Sequence, residues 1–139
     1  MILRNKVFRC GSDIGSVRHV LGDILQYLVK ALPGQSPEDL DDVRLIFNEL
    51  INNAVEHGNA FDGGKLVRIS VSVEGNKLAA YVEDEGKGFD YMAVLAAIDA
   101  GAGQDGETGR GIKLVRAIAD EVTFNGDGNK VGFFKTLGK

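Results

Sequence analysis

The chain has 139 residues, a formal net charge of −4 and an ordinary share of apolar side chains, proportions that suit one globular domain over residues 1–139 and exclude a disordered or fibrous chain. No apolar run is long enough to cross a bilayer, and the opening MILRNKVFRCGSD lacks the continuous apolar stretch of a secretion signal. A single cysteine, Cys10, rules out an internal disulfide and suits a reducing cytoplasm, while the acidic balance without a Lys/Arg cluster argues against nucleic acid as the main partner.

Residues 4–10 suit a short first strand. From residue 12 to residue 32, Val17, Val20, Leu21, Ile24, Leu25, Leu28 and Leu32 recur at helical spacing. Ser12 or Asp13 can cap the start, and Pro33-Gly34 ends the helix. A second helix opens on Ser36-Pro37-Glu38-Asp39, with a cap residue, proline in the first turn and acids that complement the helix dipole. It is expected to run to His57, where Gly58-Asn59 provides a stop. Its apolar face is Leu40, Val43, Phe47, Leu50 and Ala54. Beside that face Glu49, Asn53 and His57 recur at steps of four, which puts them in one line. Polar groups at the border of a core are costly unless something there uses them.

In Leu66–Glu74 the apolar residues Val67, Ile69, Val71 and Val73 alternate with polar ones, as in an antiparallel sheet with one wet face. Gly75-Asn76 is a hairpin signal. In residues 77–84, Leu78, Ala80 and Val82 share a face, and the next residue on that face is Asp84. Glu85-Gly86-Lys87-Gly88 follows, where glycines let the backbone pass close to another group. Residues 91–100 suit a short helix. The glycine-rich segment 101–111 has the composition of a lid, a further helix runs over 112–120, and residues 121–125 and 130–137 read as a final hairpin. Helices over one face of a mixed, mostly antiparallel sheet, an α+β two-layer sandwich, is the packing this order favours.

Several chemistries are excluded. Residues 101–106 spell GxGxxG, but the dinucleotide fingerprint must follow a strand and open a helix, and here it follows a helix. No phosphate-loop sequence GxxxxGK[ST] exists, no serine sits in a GxSxG turn, and one cysteine with two histidines makes no zinc set. Gly109-Arg110-Gly111 stands directly before a helix. Backbone N–H groups at such a start can hold phosphate, with Thr108 adding a hydroxyl and Arg110 or Lys113 a charge; an ordinary flexible loop explains the same residues. Taken together, the features describe a nucleotide site. Asp84 is a buried acceptor for an exocyclic amine, Asn53 a neutral oxygen for Mg²⁺, and Glu49 a group able to orient or deprotonate a nucleophile.

These residues resemble a known family. NELINNAVEHG is similar to the N box of the Bergerat-fold ATPases, the group of gyrase, histidine kinases and mismatch-repair ATPases. VEDEGKGF resembles their first glycine box and TGRGIKLVRAIAD their second, in the family's order across residues 12–137. The short lid and the segment RGIKLVRAIADEVTF most resemble the stand-alone anti-sigma-factor serine kinases. The resemblance implies the Bergerat fold, with ATP and Mg²⁺ as cofactors. It makes Glu49 the catalytic base, Asn53 the metal ligand and Asp84 the adenine-binding residue with Gly86 and Gly88, and it puts Thr108, Gly109, Arg110 and Gly111 beside the phosphates. His57 would be a structural or a phosphate-side residue, with a core histidine at the helix end as the favoured role. It further implies a cytoplasmic homodimer that sequesters a sigma factor and phosphorylates a serine of a small anti-anti-sigma antagonist. A histidine-kinase domain would need a dimerising hairpin with an acceptor, for which His19 lacks a second helix, and gyrase-like ATPases need a transducer domain. The competing readings are a nucleotide-binding switch that phosphorylates nothing and a weak ATPase in which Glu49 orients water.

Overall fold

The structure is a computed structural model that describes residues 3–32, 34–86, 107–125 and 129–138, with the backbone alone at Leu3 and residues 107–110. Its elements run β1 (Leu3–Gly11), α1 (Ile14–Ala31), α2 (Pro37–Asn53), a π-helical turn (Ala54–Gly58), β2 (Leu66–Glu74), β3 (Lys77–Glu83), α3 (Glu107–Ile118), β4 (Glu121–Phe124) and β5 (Lys130–Thr136). The helix expected over 91–100, the GxGxxG residues 101–106 and Gly88 lie outside the described residues.

Local chemistry sets the helix starts. Asp13, in an extended conformation, accepts the Ser16 N–H at 2.8 Å and caps α1. Ser36 accepts the Asp39 N–H at 3.1 Å, with Pro37 following it in the first turn of α2. Val17, Val20, Leu21, Ile24 and Leu28 of α1 and Val43, Ile46, Phe47, Leu50 and Ile51 of α2 are buried at helical spacing. In β2 burial alternates, with Val67, Ile69, Val71 and Val73 inward. The β2–β3 turn is made possible by Gly75 at φ 62°.

The sheet order is β1-β2-β3-β5-β4, and every described pairing is antiparallel. The inward residues of the sheet and the apolar faces of all three described α-helices form one buried cluster. This is the expected α+β, two-layer arrangement. Phe47 of α2 meets Phe133 of β5 edge to face at 5.1 Å between centroids, which seats α2 against that inner strand.

Two boundaries differ from expectation. The second helix does not stay α-helical to residue 57: after Asn53 it widens, and the Asn59 N–H reaches back five residues to the Ala54 carbonyl at 2.8 Å. The last helix begins at Glu107, not after Gly111, so Thr108, Gly109, Arg110 and Gly111 belong to the helix itself. Gly111 is there because α3 packs against α2, and a Cβ on it would collide with the Glu49 carboxylate.

Candidate nucleotide-binding site

Three stretches far apart in the chain carry the candidate residues: α2 with its π turn, the turn after β3, which lies on the π turn, and α3, which lies on α2. The first is the polar line of α2. Asn53 is buried, at 7% exposure, and its Nδ2 has no hydrogen-bond partner. A buried amide donor left unpaired costs about 1–3 kcal/mol, so Asn53 sits at the border of the core at a cost to the fold. Glu49, one turn earlier, is half-buried. Gly111 of α3 closes on both, because a Cβ there would strike Glu49 Oε2 and stand 3.8 Å from Asn53 Nδ2.

The third member of the line does not belong to it. His57 is exposed, with its Nε2 4.0 Å from Glu56 Oε1. The expectation of a core histidine at the helix end is therefore corrected. Steps of four trace one face only while the helix keeps its α pitch, and the π turn after Asn53 shifts the phase. What the wider turn brings inward instead is Gly58 and Asn59, the latter 1% exposed.

The second stretch follows β3. Asp84 is 4% exposed and continues the buried face of Leu78, Ala80 and Val82, as the alternation of the strand requires. Its carboxylate lies directly on Gly58, where a Cβ would stand 2.7 Å from Oδ1 and still closer to Oδ2. Gly86 is held as tightly, since a Cβ on it would collide with the Gly58 carbonyl oxygen. Glycine at both positions is a steric requirement. The Gly86 N–H donates to Asp84 Oδ1 at 2.8 Å, and the Asp84 N–H donates to the Asn129 carbonyl at 2.9 Å. Burial pushes the Asp84 carboxyl above its ordinary value, opposed by the Gly86 N–H; Glu83 pushes it further up and Lys65 pulls it down.

The structure thus forms two groups, Glu49 and Asn53 with Gly111, and Asp84 with Gly58 and Gly86, joined by the π turn that leads from Asn53 to Gly58. The backbone of Thr108, Gly109 and Arg110 forms the start of α3. Reading from the sequence missed Gly58 and Glu85, which adjoin Asp84, and Asn59 and Ser12, which are hydrogen-bonded behind them. Gly58-Asn59 carried a visible signal, but a helix stop was sufficient to explain it. Among the described residues no cluster of three or more His, Cys, Asp or Glu could hold a metal ion. A magnesium ion that takes most of its ligands from phosphate and water needs no such cluster, and Asn53 fits that donor set.

Residues 12–135 match the family of the histidine kinase-like ATPase domain. Serine-protein kinase RsbW of Staphylococcus epidermidis is 27% identical over 100 residues, covering 65% of this chain and 60% of that protein. The protein of the same name from Staphylococcus aureus is 26% identical over 96 residues with the same coverage. The chain therefore spans about 60% of the length of the curated relatives it matches. On a match that takes in α1, the polar line of α2, Asp84 and α3, this chain belongs to the histidine kinase-like ATPase domain family.

Proposed function

We propose that the chain is an ATP-binding anti-sigma factor and serine protein kinase, which sequesters a sigma factor and phosphorylates a small anti-anti-sigma antagonist. The observation that carries the proposal is the closure of Gly111 on Glu49 and Asn53, one turn apart, in a chain whose Asp84 is buried against Gly58. Family membership supports ATP as the ligand, and similarity to two proteins named serine-protein kinase supports serine as the acceptor.

In this reading Asp84 accepts a hydrogen bond from the exocyclic amine of adenine. Guanine, which presents a carbonyl there, would face a carboxylate and be rejected. Gly58 and Gly86 let the backbone lie directly against the Asp84 carboxylate that would receive the base. Asn53 would hold Mg²⁺, which when bound neutralises charge on the phosphate oxygens. Thr108, Gly109, Arg110 and Gly111 lie on the phosphate side. Glu49 accepts the proton of the substrate serine as the serine oxygen bonds to the γ-phosphorus; the bond from that phosphorus to its bridging oxygen breaks, and ADP leaves with the electron pair. The chain works in this scheme as one cytoplasmic domain over residues 1–139, paired as a homodimer.

The test is Glu49→Gln, assayed with partners recovered by pull-down in ATP and in ADP. ATP binding should persist, and phosphoserine formation on the antagonist should fall at least about 10²-fold, the low end of what a positioned base contributes. Undiminished transfer would remove Glu49 from the chemistry. Sigma factor recovered with no phosphorylated partner would favour a sequestering switch.

A further inference from the structure

Asn59, explained by the sequence as part of a helix stop, makes three side-chain hydrogen bonds beside Asp84. It directly follows Gly58, which touches the Asp84 carboxylate. Its Oδ1 accepts the Glu85 N–H at 2.8 Å, and its Nδ2 donates to Ser12 Oγ at 3.1 Å and to the Leu66 carbonyl at 3.1 Å. Ser12 is itself buried and donates its hydroxyl proton to the Lys65 carbonyl at 2.7 Å, so toward Asn59 it can only accept. A donor on one side and two acceptors on the other leave the amide a single orientation. The Glu85 carboxylate completes the circuit by accepting the Leu66 N–H.

The circuit joins four places: the residue after β1, the residue after the π turn, the start of β2 and the turn after β3. The last of these decides what the amide is for. Glu85 stands between Asp84 and Gly86, and the Gly86 N–H bonds Asp84 Oδ1. The peptide that Asn59 grips is therefore the one leading out of Asp84. We propose that Asn59 is a positioning residue for base recognition: by holding the Glu85 N–H it fixes the Asp84 carboxylate against Gly58, so that preference for adenine over guanine depends on an amide that does not touch the nucleotide. The proposal rests on the ATP-site reading above. Its physical basis is that recognition by one carboxylate tolerates little displacement, of the order of 0.5 Å; the Gly86 N–H and the Asn129 amide, 3.4 Å from the Asp84 carbonyl, also hold this turn, and Asn59 is the side chain that takes the Glu85 N–H.

A buried amide that only plugs a polar interior would cost stability when removed and would leave selectivity alone. The full chain is therefore compared in Asn59→Ala and Ser12→Ala variants, with ATP and GTP dissociation constants and melting temperature measured for each. Both substitutions remove buried hydrogen bonds, but only Asn59→Ala severs the tie to Glu85. Both should melt earlier than the unsubstituted protein. Asn59→Ala should lose at least about tenfold of the ATP-over-GTP preference, while Ser12→Ala keeps it. Asn59→Asp, which retains an oxygen for the Glu85 N–H, should restore most of the preference lost in Asn59→Ala. If Asn59→Ala does not fold, Asn59→Ser, too short to reach the Glu85 N–H, is judged by the same ratio. An Asn59 variant that melts early with its preference intact would overturn the positioning role. If the unsubstituted protein bound neither nucleotide, or both equally, the ATP-site reading would fall first.

Discussion

At Asp84 the physics of burial runs against the charge, because the folded protein holds this proton more tightly than the unfolded chain does. A carboxyl raised in the folded state lowers stability where it is ionised. The cost is full above the folded pKa, shrinks as pH falls through it, and is gone below the ordinary value of 3.8, where both states are protonated. Asp84→Asn removes the charge and keeps an oxygen for the Gly86 N–H. The ligand-free variant should therefore melt higher than the unsubstituted protein at pH 7, with the gap closing as pH approaches 3.8. Its ATP affinity should fall, because an amide can turn a donor toward the base amine. Thermal melts across pH check the first statement and nucleotide titration the second; a lower melting temperature at pH 7 would show that the ionised form is the better fitted one. Asp84 was legible from the sequence for a simple reason: strand alternation predicts which face a residue takes, and a carboxylate on the apolar face stands out. Asn59 was not legible, since its side-chain partners lie 47, 26 and 7 residues away and no local pattern names them.

Between elements, the contact of α2 with α3 includes a glycine set against a carboxylate. Glycine inside a helix is unfavourable by about 1 kcal/mol relative to alanine. Gly111→Ala should recover part of that, because the nearest obstacle among the described residues is the end of the flexible Glu49 side chain. Glu49 would have to swing away, and a misplaced base is costly to catalysis, on the order of 10²-fold per ångström. The variant should thus melt at the same temperature or higher while phosphoryl transfer falls; full activity would mean that Glu49 need not stay where it stands. The same glycine misled the expectation that α3 starts after residue 111, since glycine reads as a helix breaker until its neighbour is known. The caps at Asp13 and Ser36 were readable because a cap is local chemistry, complete within four residues. The π turn has no such signature. It is followed by Ala60 at φ 50° and Phe61 at φ 58°, a left-handed pair without glycine. Left-handed alanine costs about 1–2 kcal/mol, part of which glycine returns through a freer unfolded chain. Ala60→Gly should raise stability by roughly 0.5–1 kcal/mol, seen as a higher denaturant midpoint with an unchanged slope.

Across the whole molecule, the sheet is the part most fully written in local pattern: alternation in β2, the Gly75-Asn76 turn and the closing hairpin suffice to lay down neighbours, and one apolar face must then be covered. The site is written differently. Its members come from α2, the turn after β3 and α3, and each element is packed for its own reasons, so only their meeting gives the residues a common purpose. A ligand that touches all three should stabilise the fold as a unit. At a free concentration of about 100 times the dissociation constant, ATP should add about 2.7 kcal/mol. For a domain of this size that corresponds to a rise in melting temperature of roughly 5–11 °C. The shift should need Mg²⁺. Asn53→Ala separates the two contributions: it deletes an amide whose Nδ2 is buried without a partner, so the ligand-free protein should lose little stability. The magnesium-dependent part of the ATP shift should vanish with it, while the magnesium-independent part, which the proposal assigns to Asp84, should remain. Melts with ATP in the presence of magnesium or of a chelator measure both quantities at once. A variant that keeps the full magnesium-dependent shift would move the metal off Asn53 and leave its orphaned amide to be explained by the polypeptide alone.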